Sequence, residues 1–299
     1  MVAIVNIGFI GLGAMGSAMV RNLLAAGYRV TGYDLSEAAR DRLTGEGGAA
    51  AASPRAAAEA ADLVITMLPD APDVEAAFDG ESGILSLPCE ERLLMNCSTI
   101  DSAAARHLAA KAADHGWPYL DCAVGRTATQ AVEGKCLFLV GGTKGDKLAV
   151  GPVLKAMGDT IIDCGAVGQA SAMKIVNNYL ALVGCLATAE ALMLARAASV
   201  EDTAALEVIN GTSARNGNSM QNFPNKVLKG DVSPGFSLDL GRKDLAIAVA
   251  AMKREGLSSF LGEQALMAFD SAREEGHGGN DCTDLLNVLS KLAARGQGN

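Results

Sequence analysis

Lys174, Asn177 and Asn178 stand near the start of a long apolar stretch, and their spacing is the spacing of chemistry. On a helix, Lys174 and Asn178 are four residues apart and share a face, and Asn177 is the other neighbour of the lysine at three. A lysine partly removed from water releases its proton more easily than a solvated one, so it can pass a proton to or from an oxygen near neutral pH. The amides can fix that oxygen as hydroxyl or carbonyl. A plainer arrangement uses the same residues: a helix end where the lysine head reaches water and the asparagines cap. The spacing alone leaves both open.

A second constellation lies at the start of the chain. The apolar run 3–10 leads into Gly11-x-Gly13-x-x-Gly16, and a helix-compatible stretch, 14–26, follows. Gly11 permits the tight turn out of a strand, Gly13 lets the backbone approach a pyrophosphate, and Gly16 lets the helix pack closely on the strand. The helix N-terminus then offers free N–H groups to the phosphates. A second apolar run, 28–33, ends in Asp34, about 20 residues past the glycines, where the dinucleotide fingerprint expects a carboxylate for the ribose hydroxyls. That carboxylate repels a 2′-phosphate, and no arginine stands immediately beside it (Leu35, Ser36). The expected cofactor is therefore NAD rather than NADP. The alternative is a glycine-rich turn with Asp34 capping the next helix.

Composition narrows the class. The 299 residues are 49% apolar and 20% charged, enough core for two ordinary domains. A net charge of −9 gives no electrostatic case for nucleic acid or an anionic membrane. An anionic substrate would need a local basic pocket. The seven cysteines are scattered without a C-x-x-C pair and only three histidines are present, so neither a zinc site nor any other metal site is expected. Buried free thiols and a reducing cytosol are the expectation. The apolar run 3–10 lacks a basic flank and becomes a glycine turn at once, which is not a secretory signal. The most hydrophobic stretch, 175–198, carries Asn177, Asn178, Glu190 and Arg196, which fits a buried helix better than a membrane span.

These residues need a frame that holds them. Continuous apolar runs at 3–10, 28–33, 62–67, 93–97, 118–123, 136–141 and 160–163 alternate with helical patterns at 14–26, 36–43, 54–60, 71–77, 102–115 and 145–157. That alternation predicts a doubly wound parallel sheet. Ser53-Pro54, Pro69 and Ser102 offer helix starts. Beyond about Gly168 strand-like runs stop. The stretch 171–199 reads as one helix, about 42 Å long at 1.5 Å per residue, running between domains or into a partner subunit. Further helices are expected at 201–210, 237–255, 259–275 and 282–294, with a loop at 211–236 and a frayed tail at 295–299. The domains expected are 1–166, a Rossmann-type α/β unit, and 167–299, an all-helical unit for substrate and oligomer contacts.

Gly8-Phe-Ile-Gly-Leu-Gly-Ala-Met-Gly16, Thr66-Met-Leu-Pro69, Ser98-Thr99, Lys174-Ile-Val-Asn-Asn178 and Lys243-Asp244 stand in one order along the chain. In this the whole sequence resembles the β-hydroxyacid dehydrogenases, the group that includes 3-hydroxyisobutyrate dehydrogenase and tartronate semialdehyde reductase. The resemblance implies a homodimer or homotetramer and makes Lys174 the catalytic acid/base. It also implies that Ala14, Met15, Asp34, Leu68, Thr99 and Lys243 contact the nicotinamide cofactor along with the glycines.

One departure bears on substrate. Most members read Asp-x-Pro-Val-Ser-Gly-Gly after the sixth strand, where Ser and Gly hold the substrate carboxylate. Here the chain reads Asp121-Cys-Ala-Val-Gly125-Arg126-Thr127, which looks like the 3-sulfolactaldehyde reductase branch. A guanidinium brings a fixed fork of donors and a permanent charge, suited to a sulfonate, and Thr127 can add a hydroxyl. Two further departures are Ala181, where that branch carries a small hydroxyl residue, and Ala170, where it carries glycine. The leading expectation is hydride transfer from NADH to a short anionic aldehyde, with Arg126, Thr127 and Gly125 at the anion and Asn177 and Asn178 at the oxygen. The competing readings are a 3-hydroxyisobutyrate or 4-hydroxybutyrate type dehydrogenase and a nucleotide-binding module without catalysis. Arg126 argues against the first; Lys174, Asn178 and Lys243 argue against the second.

Overall fold

A computed structural model describes residues 4–89 and 92–296. The strand start expected at residue 3 and the tail at 297–299 lie outside them. The chain divides into two compact units between Lys174 and Ile175. That point falls inside the long helix, somewhat beyond the place where strand-like sequence ends.

The first unit contains β1 (Asn6–Ile10), α1 (Ala14–Ala25), β2 (Arg29–Tyr33), α2 (Glu37–Gly45), β3 (Ala49–Ala50), α3 (Pro54–Ala58), β4 (Leu63–Thr66), α4 (Ala71–Phe78), β5 (Leu93–Asn96), α5 (Ser102–Asp114), β6 (Tyr119–Gly125), α6 (Ala128–Val132), β7 (Cys136–Gly141), α7 (Lys144–Met157) and β8 (Gly158–Gly165). Side chains alternate between the two faces of the sheet, as the period of a strand requires. Ile7, Phe9, Leu63, Ile65, Leu93 and Met95 pack with α1, α2 and α7 on one face. Ile10, Val64 and Leu94 pack with α3, α4 and α5 on the other. Helix starts follow capping chemistry. Ser53 accepts from Ala56 N with Pro54 in the first turn. Asp70 caps α4, one residue after Pro69, and α5 begins at Ser102 as expected, with Asp101 as its cap accepting from both Ala103 N and Ala104 N.

The sheet order is β3-β2-β1-β4-β5-β6-β7-β8. Its first six strands are parallel and change direction of winding between β1 and β4, the point where doubly wound sheets bind ligands at the carboxyl ends of strands. The expectation of a wholly parallel sheet is corrected at one place: β6 and β7 pair antiparallel. The connection between them holds only the short α6, and a parallel return needs a crossover of a dozen or more residues. β8 then pairs parallel with β7 after α7. The two-residue strand β3 lies in a stretch without apolar periodicity.

Helix α8 (Gln169–Ala197) is 29 residues long. By length and composition it could cross a membrane, yet one of its faces belongs to a protein core. Leu182, Cys185, Ala189 and Leu192, spaced three or four apart, pack with Phe223, Leu245, Phe269 and Leu285. The second unit adds α9 (Asp202–Asn210), α10 (Phe223–Asn225), α11 (Leu238–Arg254), α12 (Phe260–Glu274) and α13 (Leu285–Gly296). The segment read as a loop, 211–236, also holds a π-helical turn at Asn218–Asn222 and a 3-10 turn at Val227–Lys229. All seven cysteines are free thiols.

Candidate functional site

The glycine turn joins β1 to α1. Gly11 has φ +98°, and a Cβ on it would lie 2.2 Å from Met67 O, so only glycine makes this turn. A Cβ on Gly16 would lie 2.0 Å from Gly11 O, which is the close helix–strand packing expected there. Gly13 is different, since nothing lies within 4 Å of its Cβ position. It is the N-cap of α1 without a side-chain cap, and α1 has no acidic residue in its first turn. Gly13 and Ala14 are exposed and Met15 is half-buried. An open face at an uncapped helix N-terminus fits a dinucleotide pyrophosphate.

Asp34 follows β2 and is tied to that turn. Its Oδ2 accepts from Leu12 N at 2.7 Å and its Oδ1 from Ser36 N at 2.8 Å. The carboxylate thus braces the glycine turn while keeping lone pairs for further donors. The structure also brings an arginine to this strand end. Arg40, on α2, donates from Nη1 to the carbonyl oxygens of Asp34 and Leu35. Five residues separate the two in sequence, the last three of them in α2, which hid the approach.

The loops after β4 and β5 are bound together. Leu68 N donates to Ser98 Oγ at 2.8 Å. Asn96 Oδ1 accepts from Thr66 Oγ1 at 2.9 Å and from Ser98 N at 3.1 Å. The Thr66–Pro69 and Ser98–Thr99 motifs are therefore one hydrogen-bonded assembly, with Leu68 and Thr99 half-buried in it.

At the end of β6, Gly125 is buried and Arg126 is exposed. Arg126 has φ +71°, a conformation uncommon outside glycine. Its guanidinium is engaged: Nη1 lies 2.7 Å from both Asp159 Oδ1 and Lys135 O, and Nη2 lies 3.0 Å from Thr160 Oγ1. Thr127 is the N-cap of α6 and forms a capping box with Gln130.

Asp121, also on β6, was not singled out from the sequence beyond its place in a motif. It is fully buried and anchors the start of α8, accepting from Gly168 N at 2.8 Å, Ser171 N at 2.9 Å and Ser171 Oγ at 2.6 Å. Burial pushes its carboxyl above the usual range, and those hydrogen bonds offset part of the shift. Lys174 is half-buried one turn further along that helix. Ala170, in place of glycine, is buried against Ala123 and Leu139, so its methyl group fills core space.

In the second unit, Asn177 is exposed and Asn178 is buried. Asn177 Nδ2 donates to Asn178 Oδ1 at 3.1 Å, and Asn178 Nδ2 donates to Asp244 Oδ2 at 2.6 Å. Asp244 is 2% exposed, and its Oδ1 lies 3.0 Å from Lys243 Nζ. Gly241 makes this approach possible, because a Cβ there would lie 2.8 Å from Cys282 Sγ and 2.9 Å from Leu182 and Phe269. Helix α11 thus sits close against α8 beside Asn178. The Lys243-Asp244 pair was legible as a motif; the bond to Asn178 was not. Among the described residues no group of three or more His, Cys, Asp or Glu side chains is arranged to hold a metal ion.

Residues 6–168 match the NAD binding domain of 6-phosphogluconate dehydrogenase. Residues 168–289 match the NAD-binding domain of NADP-dependent 3-hydroxyisobutyrate dehydrogenase. Among curated relatives, the chain is 36% identical to 3-sulfolactaldehyde reductase of Escherichia coli (strain K12) over 94% of both chains. It is 34% identical to the NAD-dependent L-serine dehydrogenase of Pseudomonas aeruginosa, over 98% of this chain and 99% of that one. Among solved structures, Mycobacterium tuberculosis 3-hydroxyisobutyrate dehydrogenase with L-serine is similar at a TM-score of 0.87 and 32% identity, covering 96% of this chain and 99% of that one. The doubly wound unit, the helical unit and a likeness running through both make this chain a member of the β-hydroxyacid dehydrogenase family of nicotinamide-dependent oxidoreductases.

Proposed function

We propose that this enzyme reduces a short anionic aldehyde with NADH, and that its substrate is 3-sulfolactaldehyde, giving 2,3-dihydroxypropane-1-sulfonate. The observation that carries this reading is Arg126. An arginine occupies a left-handed backbone position, φ +71°, in the loop where the family pattern has glycine. Such a backbone is retained for a side chain with a task, and a guanidinium suits a sulfonate. The 36% identity to a 3-sulfolactaldehyde reductase supports the same choice.

When bound, the reduced dinucleotide supplies a hydride to the aldehyde carbon. Lys174 donates a proton from Nζ to the aldehyde oxygen as that oxygen takes up charge, leaving a hydroxyl. Asn178, with Asn177, orients the oxygen. Arg126 and Thr127, with the Gly125 backbone, hold the anionic end. Gly11, Gly13, Ala14, Met15 and Gly16 would take the pyrophosphate, Asp34 the adenosine ribose, and Leu68, Thr99 and Lys243 the nicotinamide side. Asp34 favours NADH over NADPH, although Arg40 brings a positive charge to the same strand end.

A second reading, a dehydrogenase for a carboxylate such as 3-hydroxyisobutyrate or 4-hydroxybutyrate, is favoured by one observation: the Arg126 guanidinium is already paired with Asp159. Steady-state kinetics on sulfolactaldehyde, succinic semialdehyde and methylmalonate semialdehyde, each with NADH and NADPH, separate the two. The highest kcat/KM is expected for sulfolactaldehyde with NADH, and a carboxylate aldehyde in first place would overturn the sulfonate reading. Lys174→Ala should lower kcat by ~10²–10⁴ while NADH binding, followed by fluorescence quenching, stays within about threefold. We also propose a homodimer or homotetramer working in a reducing cytoplasm; seven free thiols are compatible with that compartment.

A further inference from the structure

We infer that Asp244 is a positioning residue for the reaction, holding the Asn178 amide in one of its two orientations; this rests on the reading that Asn178 orients the reacting oxygen. An ionised carboxylate only accepts hydrogen bonds. The 2.6 Å contact with Asp244 Oδ2 therefore requires Asn178 to turn Nδ2, not Oδ1, toward α11. At its other end Asn178 Oδ1 meets the donor Asn177 Nδ2 at 3.1 Å. The amide is clamped at both ends, with one N–H and one carbonyl lone pair left for another partner.

Burying a carboxylate is costly unless it is paired. Asp244 is 2% exposed, and its Oδ1, which makes no hydrogen bond among the described residues, is met by Lys243 Nζ as an ion pair at 3.0 Å. Backbone placement at Gly241 brings α11 close enough to α8 for the contact. One carboxylate thus joins the amide proposed for the substrate to the lysine proposed for the cofactor. A neutral amide at 244 has nearly the same shape but both donates and accepts, so it would leave Asn178 free to flip. Misorienting a group at a reacting centre is enough to slow a reaction strongly.

The test is a double-mutant cycle with Asp244→Asn and Asn178→Ala, on whichever aldehyde the wild type reduces best. Asp244→Asn alone should lower kcat by ~10–100-fold. In the Asn178→Ala background the same change should cost less than about twofold, because the two act as one unit. Losses that multiply, or a full kcat in Asp244→Asn, would overturn the inference. Asp244→Ser serves as the second variant where the isostere does not fold. Selective ¹⁵N-asparagine labelling reads the contact in the free protein without substrate. The Asn178 side-chain amide pair should shift in the Asp244 variant, and a pair that does not move also overturns the inference. A wild type that reduces no aldehyde refutes the proposed function, while the labelling still decides whether Asp244 holds Asn178.

Discussion

Arg126 carries a backbone cost that glycine would not, on the order of 1–2 kcal/mol for a left-handed residue with a Cβ. The Asp159 carboxylate that holds its fork is half exposed, and such ion pairs contribute about 0–1 kcal/mol. A substrate anion can therefore compete for the guanidinium. Arg126→Gly should relieve the backbone and remove the fork together, lowering kcat/KM for the sulfonate aldehyde by ~10–150-fold and changing a neutral short aldehyde little. Asp159→Asn should act the other way, releasing Arg126 and lowering KM by up to about fivefold. Initial-rate kinetics on both substrates check this. Equal losses for neutral and anionic aldehydes in Arg126→Gly would make Arg126 a structural tie between the β6 loop and β8.

Among the elements, the Asp284 carboxylate ties together the turn between α12 and α13. Asp284 is 2% exposed; its Oδ2 meets His277 Nδ1 at 2.6 Å and Asn280 Nδ2 at 2.7 Å, and its Oδ1 accepts from Asn287 Nδ2 at 2.7 Å. Burial alone would raise its pKa, but the hydrogen bonds from Asn280, His277 and Asn287 outweigh it and hold the carboxyl below the usual range. Because the folded value is depressed, the stability Asp284 contributes is present above the unfolded carboxylate value and is lost as pH falls through the folded one. Asp284→Ala should lower Tm at pH 7 by several degrees, each charged hydrogen bond contributing roughly 1.5–3 kcal/mol. The gap from wild type should begin to narrow below about pH 4 and go on narrowing as pH falls through the depressed folded value. Melting curves by circular dichroism at pH 7, 5 and 3.5 check the sign, and a gap that does not change with pH refutes it. Asp121 works in the opposite direction. Its folded value is raised by burial, so its ionisation costs stability as pH rises from the ordinary carboxylate value through the raised one. The α8 anchor therefore does not produce the acid loss expected for Asp284.

For the molecule as a whole, the exposed side of α8 is the informative surface. Met173, Leu180, Ala187 and Leu194 recur every seven residues and all are exposed, Leu180 and Leu194 at 73% each. Val176, at 59%, widens the stripe. A row of apolar side chains facing water marks an interaction surface, and the seven-residue repeat is the spacing of a helix–helix seam. The proposed homo-oligomer places that stripe against another copy of the chain. Leu180→Asp combined with Leu194→Asp should reduce the mass measured by light scattering after gel filtration, while circular dichroism shows the helices retained. A wild type that runs as a monomer, or a double variant of unchanged mass, would refute the arrangement.

Local physics made much of this protein legible in its sequence. A turn that only glycine can make, next to an apolar strand and a helix start, is written in consecutive residues, so Gly11, Gly13, Gly16 and the strands on either side could be read directly. The long helix, expected at 171–199 and found at Gln169–Ala197, follows from helical period. What only the tertiary structure decided are contacts between residues far apart in the chain. The antiparallel turn from β6 to β7 depends on the geometry of a short connection, which apolar patterning does not encode. Arg40 reaches the end of β2 because α2 folds back over it. Arg126 meets Asp159 across 33 residues, and Asn178 meets Asp244 across 66. Hydrophobic period records which side of an element is buried. It carries no information about which polar atom stands opposite, because that is set by how closely two elements approach, as Gly241 allows α11 to approach α8.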